Sequence, residues 1–209
     1  MASEEKEKLL KKLESDVAND GELPLRGSNL VFGEGSADAE VIFAGEAPGF
    51  HEDRLGRPFV GQAGKLLDKL LKEIDWKREG VYITNIVKRR PPQNRDPLPD
   101  EVAAYAPYLI RQLEIISPKI IVPLGRFAAA HFVPDIKISR DEGKLYLWRE
   151  YLVVPLYHPA AALRSTAVLE DLRISFQKLP EIVRKYDKYK KERESREGEP
   201  EKPNQGVLF

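Results

Sequence analysis

The sequence has no cysteine, one methionine and three histidines among 209 residues. Without cysteine there is no disulfide, no thiolate metal ligand and no cysteine nucleophile. Three histidines, His51, His131 and His158, argue against a dedicated zinc site and leave carboxylates as the available ligands for a hard cation. No apolar run approaches the roughly 18 residues that suggest a membrane span. The opening MASEEKEKLLKKLE lacks the apolar core of a secretory signal, so a soluble, intracellular (cytoplasmic) protein with no membrane partner is expected. Formal net charge is zero, so any attraction to a polyanion must come from how charge is distributed. Lys88, Arg89, Arg90 and Arg95 gather in VKRRPPQNRDP. Abundant Lys, Arg and Glu beside a single Met fits a thermostable protein.

What is present alternates between two periods. Residues 4–17 place Leu9, Leu10, Leu13 and Val17 at helical spacing. AEVIFAGE, VYITNIV and KIIVPLG read as short buried strands, and KLYLWREYLVVPLYH as a hairpin whose second arm is a buried strand. Between them AGKLLDKLLKEI and DEVAAYAPYLIRQLEIISP have helical periodicity, the latter with an acidic first turn and a stop at Pro118. Strands alternating with helices predict an α/β fold with a parallel sheet covered by helices on both faces. Residues 1–185 are expected to form the domain and 186–209 a charged, flexible tail.

In such a fold the ligand lies outside the carboxyl ends of the strands. The loops leaving those ends are GEAPG, NIVKRRPP, LGRFA and YHPAAALR. Gly45, Pro48 and Gly49 make a stiff turn that can fix Glu46, and Glu52 and Asp53 follow. Two acids in a loop can position a water, or can simply be solvated. Phe59 in GRPFVGQAG is either core or a stacking face for a planar base. Gly61 and Gly64 precede a helix start whose N–H groups can receive a phosphate. Asn85 ends a strand and offers one acceptor and two donors, which match a pyrimidine edge or a strand-terminating backbone contact. His158 follows the last strand, where it can donate to an oxygen gathering negative charge. Leu163 and Arg164 set an apolar tip beside a cation, suited to wedging between bases.

Together, GEAPG, GRPFVGQAG, TNIVKRRPPQNRDP, IIVPLGRFA and YHPAAALR closely resemble the family 4 uracil-DNA glycosylases, over about Leu30 to Leu172. The resemblance implies a three-layer α/β/α sandwich with a central four-stranded parallel sheet, and an enzyme that flips deoxyuridine out of DNA and hydrolyses its N-glycosidic bond, leaving an abasic site for base-excision repair. By position it implies Glu46, Glu52 and His158 as catalytic residues, with Glu52 favoured for the water and Glu46 for shaping the pocket, the two being exchangeable. Gly45, Phe59 and Asn85 are the implied uracil contacts. Gly61, Gly64, Lys88, Arg90, Gly125, Arg126, Leu163 and Arg164 are the implied DNA contacts. The alternative is a catalytically inactive uracil- or DNA-binding module of the same fold.

One departure from the family pattern is large. The family normally binds a [4Fe–4S] cluster through four cysteines, and the corresponding positions here hold Asp20, Leu23, Arg89 and Tyr105. Fe–S ligation needs thiolates, so no cofactor is expected. Tyr105 and Leu23 are expected to fill the space, and Asp20 and Arg89 to form an ion pair. A monomer acting on single- or double-stranded uracil-containing DNA is expected. The closing QGVLF resembles peptides that dock into sliding clamps through residues such as Gln205, Leu208 and Phe209.

Overall fold

The computed structural model describes residues 1–197. The segment that resembles a clamp-binding peptide lies outside the described residues. The chain opens with α1 (Ser3–Asn19), whose Leu10, Leu13 and Val17 are buried at helical spacing. A two-residue strand β1 (Glu34–Gly35) precedes β2 (Val41–Gly45), and residues 50–73 then fold as α2 (Phe50–Leu55) and α3 (Gln62–Glu73). β3 (Tyr82–Asn85), α4 (Pro99–Ile116) and β4 (Ile120–Pro123) follow. After α5 (Arg126–Phe132) and the single turn α6 (Ile138–Asp141) come the hairpin β5 (Tyr146–Trp148) and β6 (Tyr151–Val153). The short α7 (Pro159–Ala162) leads into α8 (Thr166–Arg184) and α9 (Tyr186–Glu197).

The sheet has six strands in the order β1-β3-β2-β4-β6-β5. The expected four parallel strands are its centre, β3-β2-β4-β6, and each edge adds one antiparallel strand. Four strands is therefore corrected to six. The hairpin was legible in the sequence, but its first arm joins the same sheet. β1 pairs only Glu34 with Ile83 and Gly35 with Tyr82, so it has no apolar run to betray it. Every residue of β2, β3 and β4 is buried, as expected where helices cover both faces.

Alternation sends neighbouring side chains to opposite layers. Ile42, Ala44 and Ile121 join the α1 and α4 side with Leu109 and Leu113. Val41, Phe43 and Val122 join the α3 and α8 side with Leu67 and Phe176. Phe43 and Phe176 stack with ring centroids 5.6 Å apart. Tyr189 of α9 is buried in this second core, so the chain returns to the sheet past residue 185.

β2 lies between β3 and β4, so the connections leaving its carboxyl end and that of β4 diverge there, at a topological switch point. Register keeps these ends level: Gly45 is beside Asn85, and Ala44 beside Pro123. A bridge between Leu124 and Leu156 extends the alignment to the loop that carries His158.

The segment between α1 and β1 is tied down by side-chain hydrogen bonds. Tyr105 is fully buried and donates to the Pro24 carbonyl at 2.7 Å, and Leu23 packs in the core. The Tyr108 hydroxyl donates to the Asp20 carboxylate, which also accepts from the Glu22 N–H at 2.9 Å. Arg26 reaches the Asp20 carbonyl at 2.8 Å, and Arg89 reaches the Ser28 carbonyl at 2.5 Å. The expected Asp20–Arg89 ion pair does not form. Arg89 is buried beneath the 26–30 loop, and the Asp20 carboxylate is taken by Tyr108. These residues offer no thiolate and fill the space themselves, so a [4Fe–4S] cluster does not fit here.

Candidate active site

A cavity of about 780 Å³ opens at the carboxyl ends of the strands, within the range of about 300–1,000 Å³ usual for small-molecule sites. All four strand-end loops reach it. Glu46 and Gly49 come from the turn after β2, Glu52 from α2, and Phe59 from the turn before α3. Asn85 ends β3, Arg126 begins α5, and His158 and Arg164 flank α7.

Asn85 is the centre of the arrangement. It is 2 % exposed, yet its side-chain amide takes part in no hydrogen bond among the described residues and is left to the cavity. Its acceptor and two donors are therefore open to a ligand that presents a matching edge. Gly45 makes room for it. A Cβ at that position would stand 2.4 Å from Asn85 Oδ1 and 2.7 Å from the Phe59 ring. Gly45 thus acts by absence, letting amide and ring approach each other.

Phe59 is buried with φ 50°, a left-handed conformation that costs a non-glycine residue about 1–3 kcal/mol and concentrates at functional sites. Its ring stacks with the His158 imidazole, centroids 5.6 Å apart and planes at 29°. Gly64 permits the turn, since a Cβ there would lie 1.8 Å from the Phe59 carbonyl oxygen. Gly125, at φ 87°, plays the same part for His158, whose Cβ a side chain would approach to 3.0 Å.

His158 caps α7, its Nδ1 accepting from the Ala160 N–H at 3.1 Å. Because Nδ1 accepts, the ring proton is on Nε2. Burial lowers the imidazole pKa to about 4, against the opposing pull of Glu52, so the ring is neutral. A neutral Nε2–H is a hydrogen-bond donor with no charge of its own.

The two acids are differently placed. Glu52 Oε1 accepts from the Val60 and Gly61 N–H groups at 2.9 and 2.8 Å. The expected role of Gly61 as a phosphate receptor is corrected accordingly: its N–H is already occupied by a carboxylate. Glu46 lacks such a clamp, and burial pushes its carboxyl up to about 7, helped by the Asp96 carboxylate and opposed by Arg126.

The basic run is corrected most. Lys88 is fully buried, so it meets no phosphate. Its ammonium donates to Thr84 Oγ1 at 2.6 Å, to the Asn85 carbonyl at 2.9 Å and to the Gln112 side chain. It braces Asn85 from behind, and burial holds its pKa well below the usual lysine value. Arg89 is buried under the N-terminal segment, and Arg95 makes a two-pronged pair with Glu101 at 2.6 and 2.8 Å. Arg90 stays near the rim, bonded through Nε to Asn94 Oδ1 at 2.6 Å. Arg126 lines the cavity and pairs with Asp96 at 3.0 Å, while Leu163 is 52 % exposed beside Arg164.

Sequence reasoning missed Asn94 and Asp96, both on the rim. Gln93 and Asn94 take left-handed φ of 56° and 55°, and consecutive turn formers after PP were the available signal. Among the described residues no group of three or more His, Asp or Glu side chains is disposed to hold a metal ion.

Comparison with known proteins places this geometry in context. The uracil DNA glycosylase superfamily profile matches residues 32–179. A type-4 uracil-DNA glycosylase of Sulfurisphaera tokodaii is 48 % identical over 166 residues, 75 % of this chain and 76 % of the relative. The type-4 uracil-DNA glycosylase of Archaeoglobus fulgidus is 48 % identical over 168 residues, covering 76 % and 84 % of the two chains. That of Thermotoga maritima is 46 % identical over 159 residues, covering 72 % and 83 %.

Proposed function

The chain belongs to the uracil DNA glycosylase superfamily, and from that premise we propose that it is a uracil-DNA glycosylase hydrolysing the N-glycosidic bond of deoxyuridine in DNA. The observation that carries the reading is the unpartnered Asn85 amide, held in one cavity with Phe59 and His158. A base within a duplex cannot reach such a pocket, so the nucleotide is flipped at a cost of a few kcal/mol. Uracil stacks on Phe59, and the Asn85 amide accepts from its N3–H and donates to its O4. Cytosine presents the opposite edge and leaves both groups mismatched.

In the reaction the C1′–N1 bond breaks, with its electron pair leaving on uracil. The neutral His158 Nε2–H donates a hydrogen bond to O2 of the departing anion without giving up its proton. A water attacks C1′ from the Glu46 side, and its proton passes to the Glu46 carboxylate. A raised pKa near 7 suits a base at neutral pH. Glu52, clamped by two N–H groups, positions the Phe59 turn. This scheme takes the second of the two arrangements that the sequence leaves open, with the water on Glu46 and the shape of the pocket on Glu52. Arg126, Arg164 and Leu163 border the entrance as contacts for the DNA strand, the last as a wedge. The sequence contains no thiolate, and no step in this scheme requires a metal or a cofactor.

Incubating a uracil-containing oligonucleotide with the protein and EDTA, then cleaving abasic sites with alkali, tests the reading. Strand scission that disappears in Asn85→Ala and His158→Ala is expected. Tight binding of the oligonucleotide without scission by the unaltered protein would overturn it in favour of an inactive binding module.

A further inference from the structure

Phe50, the first residue of α2, is 48 % exposed just outside the cavity. It does not stand alone. The Arg90 guanidinium lies 5.2 Å from its ring centroid and that of Arg54 lies 6.0 Å away. The His51 imidazole meets the ring edge-on at 5.5 Å.

The position is braced. Asp53, on the same helix, accepts from the Asn29 N–H at 2.7 Å, and the Asn29 amide donates to the Asp53 carbonyl at 2.9 Å. Arg90 is held by Asn94 at 2.6 Å, and its Nη1 stands 4.0 Å from the Asp53 carboxylate. Asn94 and Gly49 both line the cavity, so the ring is one residue beyond its rim through Gly49 and two through Asn94 and Arg90. An isolated exposed aromatic needs no explanation. A half-exposed ring with two guanidiniums beside it, at the edge of a nucleotide-sized cavity, has the composition of a platform for single-stranded nucleic acid. Bases stack on such rings while the cations meet backbone phosphates.

We infer that Phe50, with Arg54 and Arg90, is a stacking platform for an unpaired base on the strand that carries the flipped nucleotide. The inference rests on the cavity accepting a flipped nucleotide. It adds a strand preference: a neighbour already paired in a duplex has both faces stacked, whereas an unpaired one gains a partner. Single-stranded or frayed substrate is thereby favoured.

The test uses single-stranded oligonucleotides with a non-cleavable 2′-fluoro-deoxyuridine and 2-aminopurine at successive flanking positions. One flanking position should be quenched on binding, with quenching lost in Phe50→Ala and kept in Phe50→Trp. Removing the base at that position should weaken binding roughly tenfold in the unaltered protein and not further in Phe50→Ala. Equal losses at every position in both proteins would overturn the inference, as would Phe50→Ala binding single-stranded and duplex DNA in the unaltered ratio. Uracil release by the unaltered protein is followed separately. Its absence would sink the proposed reaction while leaving the fluorescence result readable.

Discussion

The sheet has a cavity at each end, about 780 Å³ at the carboxyl ends and about 570 Å³ at the amino ends, and their linings differ in how the polar groups are partnered. At the amino ends Asp38 pairs with Lys6 at 2.9 Å and Glu40 with Lys119, both acids being about half exposed. Such surface pairs are worth about 0–1 kcal/mol and are largely solvated. At the carboxyl ends the Asn85 side-chain amide has no hydrogen-bond partner among the described residues, His158 is neutral by burial, and Glu46 is raised to about 7. Volume does not separate the two cavities. What separates them is that one turns a buried amide and a buried imidazole to the ligand, whereas Asp38 and Glu40 at the other are already paired with lysines.

The comparison breaks most visibly at Glu46. Glu46→Gln should lower the single-turnover rate about 10²–10⁴-fold. In the unaltered protein the rate should climb with pH through about 7, as Glu46 loses its proton, and the variant should lose that limb. The sign for stability is opposite. The folded pKa is raised above the ordinary value of 4.5, so the stabilisation from the protonated acid is complete below about 4.5 and is lost as pH rises through about 7. Rate and melting temperature should therefore move in opposite directions across this window. A flat rate profile would place the base elsewhere.

Asn85→Ala should cost about 10²–10³-fold in kcat/KM, by analogy with loss of one preorganised polar contact. The same variant should keep its affinity for DNA without uracil, measured by fluorescence anisotropy. Tyr105→Phe, which removes the donor to the Pro24 carbonyl, should destabilise the protein by about 1–3 kcal/mol in urea titrations. Uracil release per folded molecule should be kept. The smallest effect sharpens the contrast: Asp38→Asn, at the opposite cavity, should stay within about 0.5 kcal/mol and leave the rate unchanged.

The parallel centre of the sheet was legible because β2 and β4 are continuous apolar runs, and strand topology then pointed to Glu46, Asn85 and His158. The rest depended on distant partners. Lys88 reads as a surface cation until Gln112, on α4, and Thr84 surround its ammonium. Gly61 reads as an anion receptor, and it is one, but the anion is Glu52 from the preceding helix. β1 is held by backbone pairing of two residues, one of them Gly35 with φ 126°, and leaves no periodic trace. Asp20 and Arg89 have complementary charges, yet burial of one and a nearer phenol for the other decide their partners.

The fastening of the N-terminal segment by Tyr105, Tyr108, Asp20 and Arg89 has a practical corollary. Phenols, a carboxylate and a guanidinium are all encoded in the chain, so this corner is finished as soon as the polypeptide folds. Its closure is set by donors and acceptors of the polypeptide itself, so a single phenol-to-phenyl change is enough to loosen it.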